Sequence, residues 1–122
     1  MPSSEQLASF IRSSFRSVWS LELLLLLKRE QRCWDRGEIV AALRASDLVV
    51  HQSLDSLTAA GLVTVDGEGR AAYSPASDSV GALVDRTESF YARSPDAVRR
   101  LIVSAATGGI AAFADAFRLR KD

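Results

Sequence analysis

Leu7, Phe10, Ile11 and Phe15 recur at helical spacing near the start of the chain, with Glu5, Arg12 and Arg16 off that stripe. The pattern predicts an amphipathic helix over residues 4–16. A second helix is expected from Val18 to Glu30, and its pattern is different. Leu23 to Leu27 are consecutive, and at 100° per residue they cover every side of the helix. Such a helix must be buried between two layers: the domain core on one side, and the terminal helices or a partner subunit on the other. Cys33-Trp34 reads as a short extended element. Asp35 then precedes a helix over about residues 36–45, with Ile39, Val40 and Leu43 apolar.

Ser46-Asp47 interrupts that helix, and either side chain can cap the next one. The next helix runs to about Ala60 and stops at Gly61, a good C-terminal glycine. Leu62 to Val65 reads as a strand, Asp66-Gly67-Glu68-Gly69 as a tight turn, and Arg70 to Tyr73 as the return strand. Ser74-Pro75 ends it, because proline cannot donate to a ladder. After a Ser/Asp linker, a helix is expected over about 79–92, with Val80, Leu83, Val84 and Phe90 or Tyr91 inward. Ser94-Pro95 opens another, with Val98, Leu101 and Ile102 as its stripe. Thr107-Gly108-Gly109 separates it from a last helix at about 110–120, where Ile110, Phe113, Ala114 and Phe117 share a face.

Composition narrows the class. A chain of 122 residues that is 48% hydrophobic can build a single cored domain, taken here as residues 1–122. Its 15 basic and 15 acidic residues balance, so any attraction for nucleic acid must come from a local patch. The start of the chain carries no basic region followed by an apolar run, and Leu21–Leu27 is far too short to span a bilayer. A cytoplasmic location without membrane contact is the expectation. One cysteine, Cys33, makes neither a disulfide nor a CxxC metal pair. Arg32 and Arg36 nearby favour a thiolate in principle, but an incidental or buried thiol beside Trp34 is the simpler reading.

The informative block is residues 36–73: helix, sharp turn, helix, glycine, apolar strand, glycine turn, strand. At its centre stands Leu54-x-x-Leu57-x-x-Ala60-Gly61-Leu62-Val63. This block resembles the reading helix and wing of the winged helix-turn-helix superfamily, broadly the MarR-, ArsR- and PadR-like bacterial transcription regulators. The resemblance covers roughly residues 18–75. It implies a mainly α fold with a small β-hairpin, flanked by an N-terminal helix (3–17) and C-terminal helices (79–120) that serve as dimerisation elements. Spacing agrees, since Val50, Leu54 and Leu57 fall on one face, leaving Val49, His51, Gln52, Ser53, Asp55 and Ser56 on or near the solvent side.

By that resemblance the second helix of the pair enters a major groove. Val49, His51, Gln52 and Ser53 are then the base readers: Gln52 suits adenine, Val49 a thymine methyl, and His51 a base acceptor or a phosphate. Arg36, Arg44 and Arg70 are the expected phosphate or wing contacts. Phe10, Phe15, Leu83, Phe90, Ile110, Phe113 and Phe117 are the expected dimer contacts. The implied activity is sequence-specific binding of double-stranded DNA by a homodimer on a palindrome.

Charge by segment opens an alternative. Residues 46–78 hold Arg70 against Asp47, Asp55, Asp66, Glu68 and Asp78, one basic residue against five acidic, net −4. Basic residues must then come from neighbours: Arg36, Arg44, Lys28, Arg29 and Arg32. Arg118, Arg120 and Lys121 are a further source, although cations at a helix C-terminus also complement the helix dipole. The acidic segment equally suits a winged-helix adaptor that docks on a protein partner.

Enzyme chemistry is not expected. The single His51 has no cysteine, histidine or well-spaced carboxylate for a metal, and there is no phosphate-cradling glycine loop. Asp35 and Glu38 sit where carboxylates cap a helix start. Trp19, Trp34, Phe90 and Tyr91 are read as core rather than as a ligand pocket, and no cofactor or effector is expected.

Overall fold

In this computed structural model the described residues are 4–105. They form a mainly helical fold with one small antiparallel hairpin, in the order α1 (Ser4–Ser14), α2 (Val18–Arg29), α3 (Arg36–Leu43), α4 (Asp47–Ala59), β1 (Val63–Val65), β2 (Ala71–Tyr73) and α5 (Asp78–Arg93). A sixth helix, α6, covers residues 95–105. The expected last helix at 110–120, with Ile110, Phe113 and Phe117, lies outside the described residues, as do Arg118, Arg120 and Lys121.

α2 is the centre of the fold. Leu21, Leu23, Leu24, Leu25 and Leu27 are all buried, and only Leu26 of that run is partly open. α4, β2 and α3 pack against α2. The all-round leucine pattern is thus satisfied within one chain, by its own neighbouring layers, and needs no partner subunit. Ser17 caps the helix start, its hydroxyl accepting from the Ser20 N–H at 3.2 Å. Lys28 and Arg29 at its end reach Glu88 of α5 at 2.7 and 3.4 Å, and Lys28 also meets Asp85 at 3.1 Å. The hydrogen bond to Glu88 is the main reason the Lys28 ammonium is held above the ordinary lysine value.

α1 packs against α5. One buried cluster runs from Leu7 and Ile11 of α1 through α2 to Val84 of α5 and Val98 and Ile102 of α6. Phe15, an expected dimer contact, is only 1% exposed and belongs to this cluster. It is core because it closes the end of α1 onto the domain, with Phe10 edge-on to its ring at 6.0 Å. Phe10, Leu83 and Phe90 are partly buried and pack against the same core. Among the described residues no helix is long and apolar enough to cross a membrane.

α3 and α4 are joined by a sharp turn. Arg44 caps α3 in the left-handed region (φ 54°), and the Ser46 hydroxyl accepts from the Val49 N–H at 3.1 Å to start α4. At the start of α3, Glu38 accepts from the Asp35 N–H at 2.9 Å, the capping role read from its position. α4 ends in a Schellman motif: the Leu62 N–H reaches the Leu57 carbonyl at 3.0 Å, and the Gly61 N–H reaches that of Thr58 at 3.1 Å. Gly61 has φ +76°, and a Cβ there would stand 3.2 Å from Ala76 Cβ. Gly61→Ala is therefore expected to cost about 1–3 kcal/mol, from left-handed strain plus that contact. Denaturant unfolding checks it, and a loss near zero would mean the corner relaxes freely.

β1 and β2 pair Val63 with Tyr73, Thr64 with Ala72 and Val65 with Ala71. The short element read at Cys33-Trp34 joins them, as Trp34 and Ala71 exchange two backbone hydrogen bonds of 2.8 Å. Trp34 is buried, and its indole N–H donates to the Glu30 carbonyl at 3.0 Å.

Candidate functional site

α4 stands with one face in the core and one in solvent. Val50, Leu54 and Leu57 are buried, as their spacing predicts. His51, Gln52 and Asp55 are exposed, Val49 is half-buried, and Leu48 projects with 62% of its surface open. Ser53 departs from expectation. It is only 5% exposed, because it lies on the same stripe as Val50 and Leu54 and turns toward the start of α2. A side chain so placed is not on the outer ridge, where the resemblance puts Ser53 as a base reader.

The expected cations meet different fates. Arg36 Nε lies 3.2 Å from Asp47 Oδ1, and its Nη1 lies 3.1 Å from His51 Nδ1. A guanidinium only donates, so Nδ1 accepts and the ring proton sits on Nε2, which faces Asp55 Oδ2 at 3.4 Å. Asp47, Arg36, His51 and Asp55 thus form a chain of pairs along the α3 side of α4. In the hairpin, Arg70 Nε lies 3.0 Å from Asp66 and its Nη2 lies 3.4 Å from Glu68. Arg32 stacks 3.7 Å above the Trp34 ring and reaches Glu38 at 3.2 Å. Together with Lys28 and Arg29, which tie α2 to α5, these arginines already have partners. Arg44 is exposed, and no described residue forms an ion pair with it.

The other side of α4 carries residues that sequence reading missed. A groove of about 310 Å³ separates Arg16 and Trp19, at the start of α2, from Val49, Gln52, Ser53 and Ser56 of α4. Trp19 is 44% exposed, so it is not the core aromatic that was expected. Arg12 and Arg16 line a neighbouring depression with Phe15. Both arginines are exposed, and neither makes an ion pair with a described residue. Local pattern gave no sign of this, since Arg16 and Gln52 lie far apart in the chain. Among the described residues the flanks of α4 therefore differ: arginines without ion pairs and an indole on the α1–α2 side, self-paired acids and bases on the α3 and hairpin side.

The hairpin turn is built by Asp66. Its Oδ1 accepts from the N–H groups of Glu68 and Arg70, both at 2.9 Å. The Arg70 backbone bond is the largest cause holding this carboxyl below the usual aspartate value. A depressed value stabilises the turn above the unfolded-state pKa, and that stability is lost as pH falls through the lower, folded one. Acidification below the ordinary aspartate range is expected to loosen the turn, seen as loss of the shifted Glu68 and Arg70 amide signals by NMR. An Asp66→Asn chain should show no such step in that range, and a step surviving the substitution would assign it elsewhere.

Cys33 is exposed, with Arg32 donating to its carbonyl at 3.0 Å. Among the described residues no group of three or more His, Cys, Asp or Glu side chains is placed to hold a metal ion. Comparison of the chain with protein families, curated proteins and solved structures finds no match.

Proposed function

We propose that this chain is a winged-helix DNA-binding regulator, with α4 as the reading helix and the β1–β2 hairpin as the wing, acting as a homodimer on a palindromic site. The observation that carries the reading is the exposed ridge of α4. Leu48, His51, Gln52 and Asp55 stand on a helix whose opposite face is core, and the hairpin follows directly. Such a ridge, on a helix anchored by α2 and α3, suits insertion into a major groove. Gln52 pairs with adenine N6 and N7, and Leu48 and Val49 meet thymine methyls. His51 reaches a base only after leaving Arg36 and Asp55. Arg12, Arg16 and Arg44 supply the phosphate contacts on which affinity depends.

Selection from a random duplex library at low salt tests the reading. The expected result is enrichment of an inverted repeat with half-sites about one helical turn apart, retained in a salt-dependent way. No enrichment and no salt-dependent retention would overturn it.

A second reading, a winged-helix adaptor for a protein partner, draws on two specific observations. Arg36 and Arg70 are neutralised by Asp47, Asp66 and Glu68. Three of the large exposed apolar residues, Trp19, Leu48 and Val65, lie beside or on α4 and the hairpin. A basic partner carrying an apolar anchor fits that surface. A pull-down that returns nucleic acid alone counts against the adaptor.

A further inference from the structure

We propose that the groove between the start of α2 and α4 seats one backbone phosphate of duplex DNA, with Trp19 covering the adjoining sugar. The proposal rests on the DNA-binding reading above and assigns a contact outside the reading ridge and the hairpin.

The groove offers hydrogen-bond donors where a phosphate needs them. Arg16 brings a guanidinium with no ion-pair partner among the described residues. α2 begins here, at the positive end of its dipole. Ser17 takes the Ser20 N–H, while no described residue takes the amides of Val18 and Trp19. Ser53 is the independent sign of a ligand. Its residue is 95% buried, taken from its 5% exposure, and it lines the groove. Its hydroxyl makes no hydrogen bond to any described residue and is not sealed from solvent, so it stands open to a ligand in the groove. No acidic side chain lines this groove. The contrast with the Asp47 and Asp55 side of α4 is what makes an anion welcome here and unwelcome there.

Trp19 explains why the phosphate belongs to a polymer. A free phosphate would satisfy the arginine, the hydroxyl and the amides, and would leave the indole wet. A sugar-phosphate unit covers both, its apolar deoxyribose face against the ring. Gln52 lies on the same groove wall and on the exposed ridge, so a strand seated here is positioned for the base contacts of α4.

The two tryptophans supply the readout. Trp34 is 4% exposed and Trp19 is 44% exposed, so acrylamide quenching of tryptophan fluorescence reports Trp19. A Trp19→Phe chain confirms the assignment. The probe is a random-sequence duplex about two helical turns long at low salt, because a phosphate contact does not depend on sequence. Duplex is expected to protect Trp19 from acrylamide. Arg16→Ala is expected to flatten the slope of log K against log salt by about 0.9 for each protomer bound. The affinity ratio of parent to variant then shrinks by about 3.5-fold per protomer between 50 and 200 mM salt, while Arg16→Lys keeps the parental slope. Duplex binding with Trp19 unprotected and an unchanged Arg16→Ala slope overturns the phosphate seat and leaves the DNA-binding reading standing. Absence of any duplex binding overturns both.

Discussion

Replacing Leu24 by alanine is expected to lower the free energy of unfolding by about 2–5 kcal/mol, the range for a buried leucine whose cavity only partly collapses. Leu24 is fully buried on α2, the helix against which α3, α4 and β2 all pack. Several neighbours would have to move together to fill the space, and each is held by other contacts. Domains of this size are stable by only about 5–15 kcal/mol, so the substitution removes a large share of the total. Urea unfolding followed by circular dichroism measures it. The same experiment decides what buries the leucine run. Because α2 is enclosed by its own chain, the loss should not vary with protein concentration. A loss below about 1 kcal/mol, or one that grows on dilution, would show that a partner completes the core around α2.

The order of elements was legible because each is marked by local chemistry. Asp66, Gly67 and Gly69 mark the hairpin turn, and Ser46 and Gly61 bracket α4 with a cap and a left-handed stop. The all-round leucines of α2 announced a central helix, and Cys33-Trp34 announced the extra extended piece. Ser53 was misplaced for a reason visible in the chain itself. Val50, Ser53, Leu54 and Leu57 fall at i, i+3, i+4 and i+7, and a search for apolar residues alone passes over the serine on that stripe. Phe15 was misplaced because periodicity marks a buried face without saying whether the cover is the same chain or another. The pairing of charges was beyond local reading altogether. Lys28 and Arg29 are taken up by Glu88, some 60 residues away, while Arg16, near the start of the chain, lies beside α4 with no ion pair to any described residue. Net charge by segment identified the acidic stretch correctly. It did not show that Arg36 and Arg70 are neutralised by that stretch, or that Arg12 and Arg16, without ion pairs among the described residues, lie on the opposite flank.

That asymmetry sets the second large effect. Asp47→Asn with Asp55→Asn is expected to tighten duplex binding by roughly tenfold for each protomer bound at low salt, the equivalent of about 1–2 kcal/mol for one charge-assisted contact to phosphate gained per protomer. Asp47 and Asp55 occupy the two ends of the chain of pairs that runs through Arg36 and His51. Removing both charges frees the Arg36 guanidinium, frees His51 from its carboxylate, and takes two negative charges off the surface proposed to approach DNA. Asparagine keeps the side-chain shape; at the start of α4 it gives up the dipole interaction of Asp47, about 0.3–1 kcal/mol of stability, together with the exposed pair to Arg36, which contributes little in solvent. Two controls separate local release from a general gain of positive charge. Glu5→Gln with Asp96→Asn changes net charge by the same amount on α1 and α6, away from this network, and is expected to act weakly. The slope of log K against log salt should steepen by about 0.9 per protomer in the α4 pair alone, because one further phosphate is neutralised. Equal effects from the two double variants would mean that Arg36 never reaches DNA. A parent and an α4 variant that both ignore duplex at low salt would favour the adaptor, for which the same substitutions should weaken capture of a basic protein partner, because Asp47 and Asp55 would then be contact residues themselves.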